Sequence, residues 1–175
     1  MRKKWYTAAF GGILTALLIE ISRYYGGRNS DSGDRSLDAV ALKSDSVKVV
    51  REFYRAARTR DDAALLKVLH PEFVGSLAPG MPGGAGGIHS GRTAMMRDAW
   101  GSLFHLFDVT AHPERWYEAA DGTIIVTGRY VGTANSSGRS FEAEFVHLWT
   151  VADGLLTGVH QCSDTQSWND ALHAR

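Results

Sequence analysis

The spacing of apolar residues changes near residue 107, from every third or fourth position to every second position. Before that point, an apolar stripe at i, i+3, i+4 and i+7 predicts a first helix that begins near Asp45. The stripe consists of Val50, Phe53, Tyr54 and Ala57. Similar spacing predicts two further helices, over residues 61–69 and 91–106. Three helices therefore precede the change of period.

After residue 107, alternation of apolar and polar side chains is typical of half-buried strands. It predicts strands over 108–118, 123–134, 140–152 and 155–165, separated by turn sequences such as Asp121-Gly122 and Asp153-Gly154. A shorter strand is predicted over 72–77. Helices followed by hairpin-linked strands indicate an α+β domain, in which the helices cover one face of a curved antiparallel sheet.

The chain divides into three predicted parts: residues 1–22, 23–44 and 45–172. Residues 1–22 carry a basic run and then an apolar stretch that would span only about 20 Å as a helix, less than a bilayer core of about 30 Å. Three interpretations of this segment stay open: an uncleaved anchor or signal, a peripheral amphipathic helix, and an upstream extension without function. Residues 23–44 have the composition of a linker, and 45–172 form the predicted globular domain.

Composition and charge exclude several classes of function. The chain has 175 residues, with 19 Lys+Arg against 19 Asp+Glu and a formal net charge of zero. A nucleic-acid partner is not expected, because phosphate binding needs an excess of basic charge on one face. The single cysteine, Cys162, excludes an internal disulfide, and the seven histidines lack metal-ligand spacing. We therefore expect no metal and no cofactor.

Glycine is concentrated between the predicted short strand and the third helix, with seven glycines in the seventeen residues from Gly75 to Gly91. No phosphate-binding glycine motif is present. Glycine allows a tight, mobile path with positive φ angles. Residues 78–90 could therefore form a lid over a cavity, with His89 and Arg92 at its end. A plain flexible loop is the alternative.

His147 is the most informative polar residue in the predicted strands. Alternation over 140–152 places it on the same face as Phe145 and Trp149, while Glu142 and Glu144 lie on the opposite face. His147 is therefore expected to be a core histidine with one hydrogen bond, or a polar group that lines an apolar cavity and transfers a proton near neutral pH.

The end of the last strand offers a second polar position. Asp164 could pair with His147 or act as a base, or it could cap a terminal helical turn through Trp168. Gln161 and Asp164 face opposite ways in an ideal strand, so only a bulge would bring both into one cavity. Five aromatic residues would form the cavity wall: Tyr54, Trp100, Trp116, Tyr130 and Trp149.

Three segments resemble the SnoaL-like polyketide cyclase group of the nuclear-transport-factor-2-like and ketosteroid-isomerase-like superfamily. They are VVREFYRAARTRDDAALLKVLHPEFV, GGIHSGRTAM and AEFVHLWTVADGLL with the later HQCSDTQSW. The resemblance covers about residues 45–172. It implies a cone-shaped fold with a curved antiparallel sheet wrapped around three N-terminal helices, an apolar pocket and a homodimer formed through the sheet.

The resemblance also bears on the type of reaction. His147 falls where steroid isomerases carry a protonated aspartate that stabilises an oxyanion. Their base matches the stretch Gly75–Leu77, which has no carboxylate, so steroid-type isomerisation is disfavoured. The Arg-x-Asp pair of epoxide hydrolases matches Arg129–Val131, where the aspartate is absent. The acidic residue of aldol cyclases matches the region from Gln161 to Asp164.

The sequence thus predicts a cofactor-independent cyclase or isomerase that acts on an apolar, polyketide-like small molecule. His147 would hold or protonate an enolate oxygen, and Asp164 would orient His147 or remove a proton. Tyr54, His89, Arg92, Trp100, Trp116, Tyr130, Trp149 and Gln161 would bind the substrate. The alternatives are a non-catalytic ligand-binding or dimerisation module of the same fold and a membrane-tethered, envelope-facing interaction domain. The expected location is the cytoplasm, with membrane association possible through residues 1–22.

Overall fold

A computed structural model describes residues 44–173 of the chain. The predicted hydrophobic segment 1–22 and all of the predicted linker 23–44 except Ser44 lie outside these residues. Within the described part, no helix is both long enough and apolar enough to cross a bilayer.

The first two helices begin and end at positions that the sequence marks. Helix α1 spans Asp45–Thr59, and the Ser44 hydroxyl accepts a hydrogen bond from the backbone N–H of Val47 at its start. It ends at Arg60, which adopts a left-handed conformation with φ of 52°. Helix α2 spans Asp62–Val68 and is capped by Asp61. The α1 face with the predicted stripe is buried, which places Phe53 and Tyr54 toward the sheet.

The third helix, α3, covers residues 92–106 and has a π-helical centre. Arg92–Ala94 and Gly101–Leu106 are α-helical, whereas Met95–Trp100 form a π-helical segment. The N–H of Gly101 donates to the carbonyl of Met96, five residues earlier, as a π-helix requires. The sequence predicted the helix but not this change in winding.

The six strands form one sheet in the order β2-β1-β6-β5-β4-β3. Their bounds are β1 Leu69–Leu77, β2 Gly87–Ser90, β3 Phe107–Glu118, β4 Ile124–Ala134, β5 Ser140–Ala152 and β6 Leu155–Ser163. Helix α4, Thr165–Leu172, follows β6. The α+β fold is confirmed. All strand pairs are antiparallel except β1 and β6, which run parallel.

Strand alternation on β5 places its large apolar side chains in the core. Phe141, Phe145 and Trp149 are buried, and the intervening Glu142 and Glu144 are exposed, as predicted. His147 shares the buried face. Irregular pairing between β3 and β4 at Pro113 and Arg115 accompanies the curvature of the sheet.

None of residues 78–90 lines the cavity that contains His147, so the predicted lid is wrong. It contains a 3₁₀ turn, Pro82–Gly84, and the strand β2, which pairs with β1. The segment packs on the last helix: a side chain at Gly80 would collide with Thr165, and the Asn169 amide donates to the Gly80 carbonyl over 2.9 Å. Glycine here permits close packing and positive φ angles rather than motion above a pocket.

Candidate functional site

Four elements bring their polar side chains to one point beneath α1. Tyr54 comes from α1, Tyr130 from β4, His147 and Trp149 from β5, and Gln161 from β6. The β5–β6 pairing places His147 opposite Gln161. Since strand partners on one face lie side by side, the sheet register itself brings the imidazole and the amide together.

Both ring nitrogens of His147 are hydrogen-bonded to tyrosine hydroxyls. The distance from Nδ1 to the Tyr54 Oη is 2.6 Å, and the distance from Nε2 to the Tyr130 Oη is 2.9 Å. The Trp149 indole donates to the Tyr54 oxygen over 3.3 Å, and the Gln161 amide donates to the Tyr130 oxygen over 3.1 Å. We call these five residues the Tyr-His-Tyr network.

Burial keeps the titratable members of this network neutral. It lowers the pKa of His147 from 6.5 to about 3, because the imidazolium would lose its hydration. Burial also raises the pKa of Tyr130 and that of Tyr54 well above the usual value of 10. For Tyr54, the hydrogen bond from Trp149 opposes this shift without overcoming it.

A proton count over the network leaves one tyrosine hydroxyl with a proton to donate elsewhere. A neutral imidazole has one N–H donor and one acceptor nitrogen, so only one of the two hydroxyls can donate to it. The other hydroxyl must accept the imidazole N–H, and its own proton then points away from His147. The network therefore presents a single free O–H.

The difference in exposure between the two tyrosines favours Tyr130 as the one with the free proton. Tyr54 is only 4% exposed, and an unpartnered O–H there would be costly, whereas Tyr130 is half-buried at the cavity. We therefore infer that Tyr54 donates to Nδ1 and that the Nε2–H of His147 donates to the Tyr130 oxygen.

The network lies at the wall of a cavity of about 70 Å³ that is mostly apolar. Fifteen residues line this cavity: Phe53, Tyr54, Ala57, Arg58, Leu65, Trp100, Phe104, Val109, Thr110, Ala111, Tyr130, His147, Trp149, Val159 and Gln161. Its volume is several-fold below the roughly 300–1,000 Å³ of pockets for drug-sized ligands. In this conformation, the cavity has space only for a small molecule.

Six of the residues predicted from sequence meet at this cavity: Tyr54, Trp100, Tyr130, His147, Trp149 and Gln161. Of the neighbours Arg129 and Tyr130, only Tyr130 faces inward; the Arg129 guanidinium pairs with Glu114 and Glu142 outside. Of Gln161 and Asp164, only Gln161 faces the cavity, and its amide donates to Tyr130.

Asp164 lies outside the cavity, which corrects its predicted place beside His147. β6 ends at Ser163, and the exposed Asp164 carboxylate caps α4, accepting from the Ser167 hydroxyl over 2.6 Å and from the Ser167 N–H over 3.3 Å. These hydrogen bonds lower the pKa of Asp164. The capping interpretation is therefore the one that the structure shows.

His89, Arg92 and Trp116 also lie away from the cavity lining. The His89 imidazole contacts the carbonyl of Ala85, and the Arg92 guanidinium donates to the carbonyls of Leu66 and Leu69 at the end of α2. Since both side chains bind backbone within the fold, they have structural roles here. Trp116 packs edge-on against Tyr54, with ring centroids 5.6 Å apart, outside the lining residues.

Nine of the lining residues were not predicted from the sequence. Phe53 and Ala57 belong to the predicted apolar stripe of the first helix, a pattern that does not distinguish a cavity wall from a core. Leu65, Phe104, Val109, Ala111 and Val159 are apolar residues whose pattern fits a core equally well. No sequence pattern indicated a cavity position for Arg58 or Thr110, because polar side chains at helix ends and on strands are common on protein surfaces. Within residues 44–173, no group of three or more His, Cys, Asp or Glu side chains converges as a metal site would.

Comparison with known proteins identifies the family. The model of the SnoaL-like domain matches residues 50–159, more than half of the chain. No curated protein matches the chain.

Solved structures share the fold. An NTF2-like protein of unknown function from Burkholderia pseudomallei K96243 is 27% identical, with a TM-score of 0.68 over 75% of this chain and 99% of that one. TerC, co-crystallised with polyporic acid, is 24% identical, with a TM-score of 0.67 over 75% and 100%. A Jannaschia sp. CCS1 protein named as a SnoaL-like polyketide cyclase is 16% identical, with a TM-score of 0.63 over 84% and 99%. The chain belongs to the SnoaL-like domain family and has the NTF2-like fold.

Proposed function

We propose that the cavity binds a small, largely apolar molecule with a carbonyl oxygen and polarises that oxygen through the Tyr130 hydroxyl. The single observation that carries this proposal is the double hydrogen bond of His147, which leaves the Tyr130 proton free at the cavity. Polarising the carbonyl is one half of a cyclase or isomerase reaction, the half that stabilises the enolate oxygen. In this proposal, the side chains of the protein supply that step.

The network makes Tyr130 a strong hydrogen-bond donor. Its oxygen accepts from His147 and from Gln161, so two N–H groups stabilise the negative charge that grows on this oxygen as its proton moves toward a ligand. Such prearranged donors are most effective in a site that excludes water. An enolate oxygen would therefore be bound more tightly than the ground-state carbonyl.

His147 acts as a positioning residue in this proposal. Both of its nitrogens are occupied by tyrosine hydroxyls, so it does not contact the ligand. Because it is neutral, only one of the two tyrosine hydroxyls can donate to it, and the other hydroxyl keeps its proton for a ligand. This differs from the role expected from sequence, in which His147 itself would donate to the enolate.

Names of similar structures support a small-molecule function. TerC was co-crystallised with polyporic acid, and the Jannaschia protein is named as a polyketide cyclase. The aromatic and aliphatic walls of this cavity suit an apolar ring, and a volume of about 70 Å³ limits the ligand to one ring at most. We therefore propose a one-ring ligand.

A second candidate is ligand binding without reaction. It is favoured by the lining residues of the described cavity, among which there is no Asp or Glu. A cyclase or isomerase must also remove a proton, and here water from solvent would have to accept it. Both candidates therefore predict that the ligand binds, and only the first predicts that the ligand reacts.

Acetophenone, a one-ring ketone, tests the proposal. We expect the Tyr130→Phe variant to bind it about five-fold more weakly, because one hydrogen bond contributes about 1 kcal/mol. Tyr117→Phe is the matched control, since Tyr117 is exposed and does not line the cavity. Titration followed by NMR measures both affinities. Equal affinity of the wild-type protein and Tyr130→Phe would contradict the proposal.

Deuterium exchange separates reaction from binding. In D₂O, a protein that stabilises the enolate speeds replacement of the acetophenone methyl protons, with solvent water as the proton acceptor. We expect accelerated exchange that is lost in Tyr130→Phe and kept in Tyr117→Phe. Binding without accelerated exchange would instead establish the second candidate.

A further inference from the structure

Arg58 is the one charged residue among the described residues that line the cavity. It lies on the last turn of α1, and its side chain is exposed to solvent, so it marks the mouth of the cavity. The Tyr-His-Tyr network lines a more deeply buried part of the same cavity. An apolar cavity thus has a cation at its entrance and a hydrogen-bond donor deeper inside.

The other arginines on and beside α1 are engaged elsewhere. The Arg51 guanidinium lies 4.6 Å from the centre of the Trp116 ring, and the Arg55 Nε donates to Glu52 over 2.9 Å. The Arg60 guanidinium pairs with Asp108 over 2.8 Å. The Arg58 side chain has no hydrogen bond, ion pair or stacked ring within residues 44–173.

The helix fixes the separation of the two polar ends. Tyr54, which contacts His147, and Arg58 are four residues apart, about 6 Å along the axis of α1 and on the same face. A ligand that reaches from the Tyr-His-Tyr network to Arg58 must therefore extend at least about this far along α1. The apolar residues between them, such as Ala57 and Phe53, leave no polar partner for the middle of the ligand.

We infer that the ligand carries an anionic group, a carboxylate in the simplest case, across one ring from the carbonyl that Tyr130 contacts. The inference rests on the proposed function and names the class of its substrate: a small keto acid built on one ring. The planar guanidinium of arginine matches a carboxylate with two parallel hydrogen bonds. Because Arg58 is exposed, its contribution is expected to be a few-fold and to weaken with salt.

Two probes of the same shape, one anionic and one neutral, test the inference. 4-Acetylbenzoate has a ketone and a carboxylate at opposite ends of one ring, and 4-acetylbenzamide replaces the carboxylate by a neutral amide. We expect the full-length protein to bind the benzoate about three- to five-fold more tightly at low salt. Arg58→Gln should remove this preference. Arg55→Gln, the control on the same helix away from the cavity, should keep it.

The possible outcomes separate this inference from the proposed function. Equal binding of the two probes, or a preference for the benzoate that persists in Arg58→Gln, would contradict the inferred anionic group. The proposed Tyr130 contact would still stand if Tyr130→Phe weakens the binding of both probes. No binding of either probe would contradict the proposed function itself. A preference that disappears only in Arg58→Gln supports both.

Discussion

Burial and hydrogen bonding decide the state of His147 at the scale of the single residue. The side chain is 5% exposed, and each nitrogen contacts one tyrosine hydroxyl. Its pKa of about 3 in the folded protein lies below the value of 6.5 for an exposed histidine. The folded protein therefore keeps this imidazole neutral at a pH where the unfolded chain protonates it.

This difference predicts a pH dependence of stability. Between pH 6.5 and about 3, the unfolded state binds one proton more at residue 147, so stability falls as the pH falls through this window. The slope from this group is about 1.4 kcal/mol per pH unit. Denaturant unfolding of the wild-type protein and His147→Gln at pH 4 to 7 measures it, and subtraction cancels the other groups. Parallel curves for the two proteins would contradict the buried, neutral state.

Strand alternation predicted the inward position of several single residues, because neighbours on a strand face opposite sides. It placed His147 and Trp149 inside, and it required that only one of Gln161 and Asp164 enter the cavity. Periodicity could not predict the position of the Arg92 side chain, because the carbonyl groups within its reach depend on how the helices pack. Nor could it reveal that His147 lies between two tyrosines from distant parts of the chain.

At the scale of the element, Asp164 belongs to the helix that follows it. Its carboxylate accepts from the N–H and hydroxyl of Ser167, which satisfies the first turn of α4. The Asp164→Ala variant is therefore expected to lose about 1 kcal/mol of stability, and Asp164→Asn should lose less. Urea unfolding measures the loss.

The same variant checks the corrected role of this residue. Because Asp164 lies outside the cavity, Asp164→Ala should bind acetophenone as the wild-type protein does. A large loss of affinity or of deuterium exchange at unchanged stability would restore the catalytic role that the sequence suggested.

Helices and strands were predictable because each follows from local periodicity and caps. The glycine-rich segment was not, because its path depends on contacts with α4 and with the end of α3. Gly83 lies against Leu106, and Gly80 lies against Thr165. Both partners are far away in sequence, so composition alone could not distinguish a lid from a packed segment.

At the scale of the whole molecule, a wall of three side chains separates the cavity from a neighbouring groove. Leu65, Trp100 and Phe104 line both the cavity of about 70 Å³ and a groove of about 440 Å³ between α2 and α3. The Arg60 guanidinium lies 4.7 Å from the centre of the Phe104 ring and pairs with Asp108. These contacts hold the wall in place, and the wall therefore limits the size of the ligand.

Removal of Phe104 should enlarge the site. The Phe104→Ala variant joins cavity and groove, so 2-acetylnaphthalene, a two-ring ketone, should gain about ten-fold in affinity relative to acetophenone. This gain corresponds to roughly 50 Å² of added apolar contact at about 25 cal/mol per Å². The control is Leu66→Ala, which changes only the groove. An unchanged ratio of the two affinities would show that Phe104 does not set ligand size.

The homodimer predicted from the family resemblance stays a prediction. Val131 and Val146 are 39% and 36% exposed on the sheet and would be covered in such a dimer. Sedimentation equilibrium of the purified protein measures its mass directly. A monomer at micromolar concentration would contradict this expectation.

The central claim is that His147 donates to Tyr130, which leaves the Tyr130 hydroxyl free for a ligand. The ¹⁵N chemical shifts of the His147 ring report its protonation directly. The account predicts a neutral imidazole with hydrogen on Nε2 and none on Nδ1, unchanged from pH 5 to 9. A ring with hydrogen on Nδ1, or an imidazolium at pH 5 to 6, would contradict it.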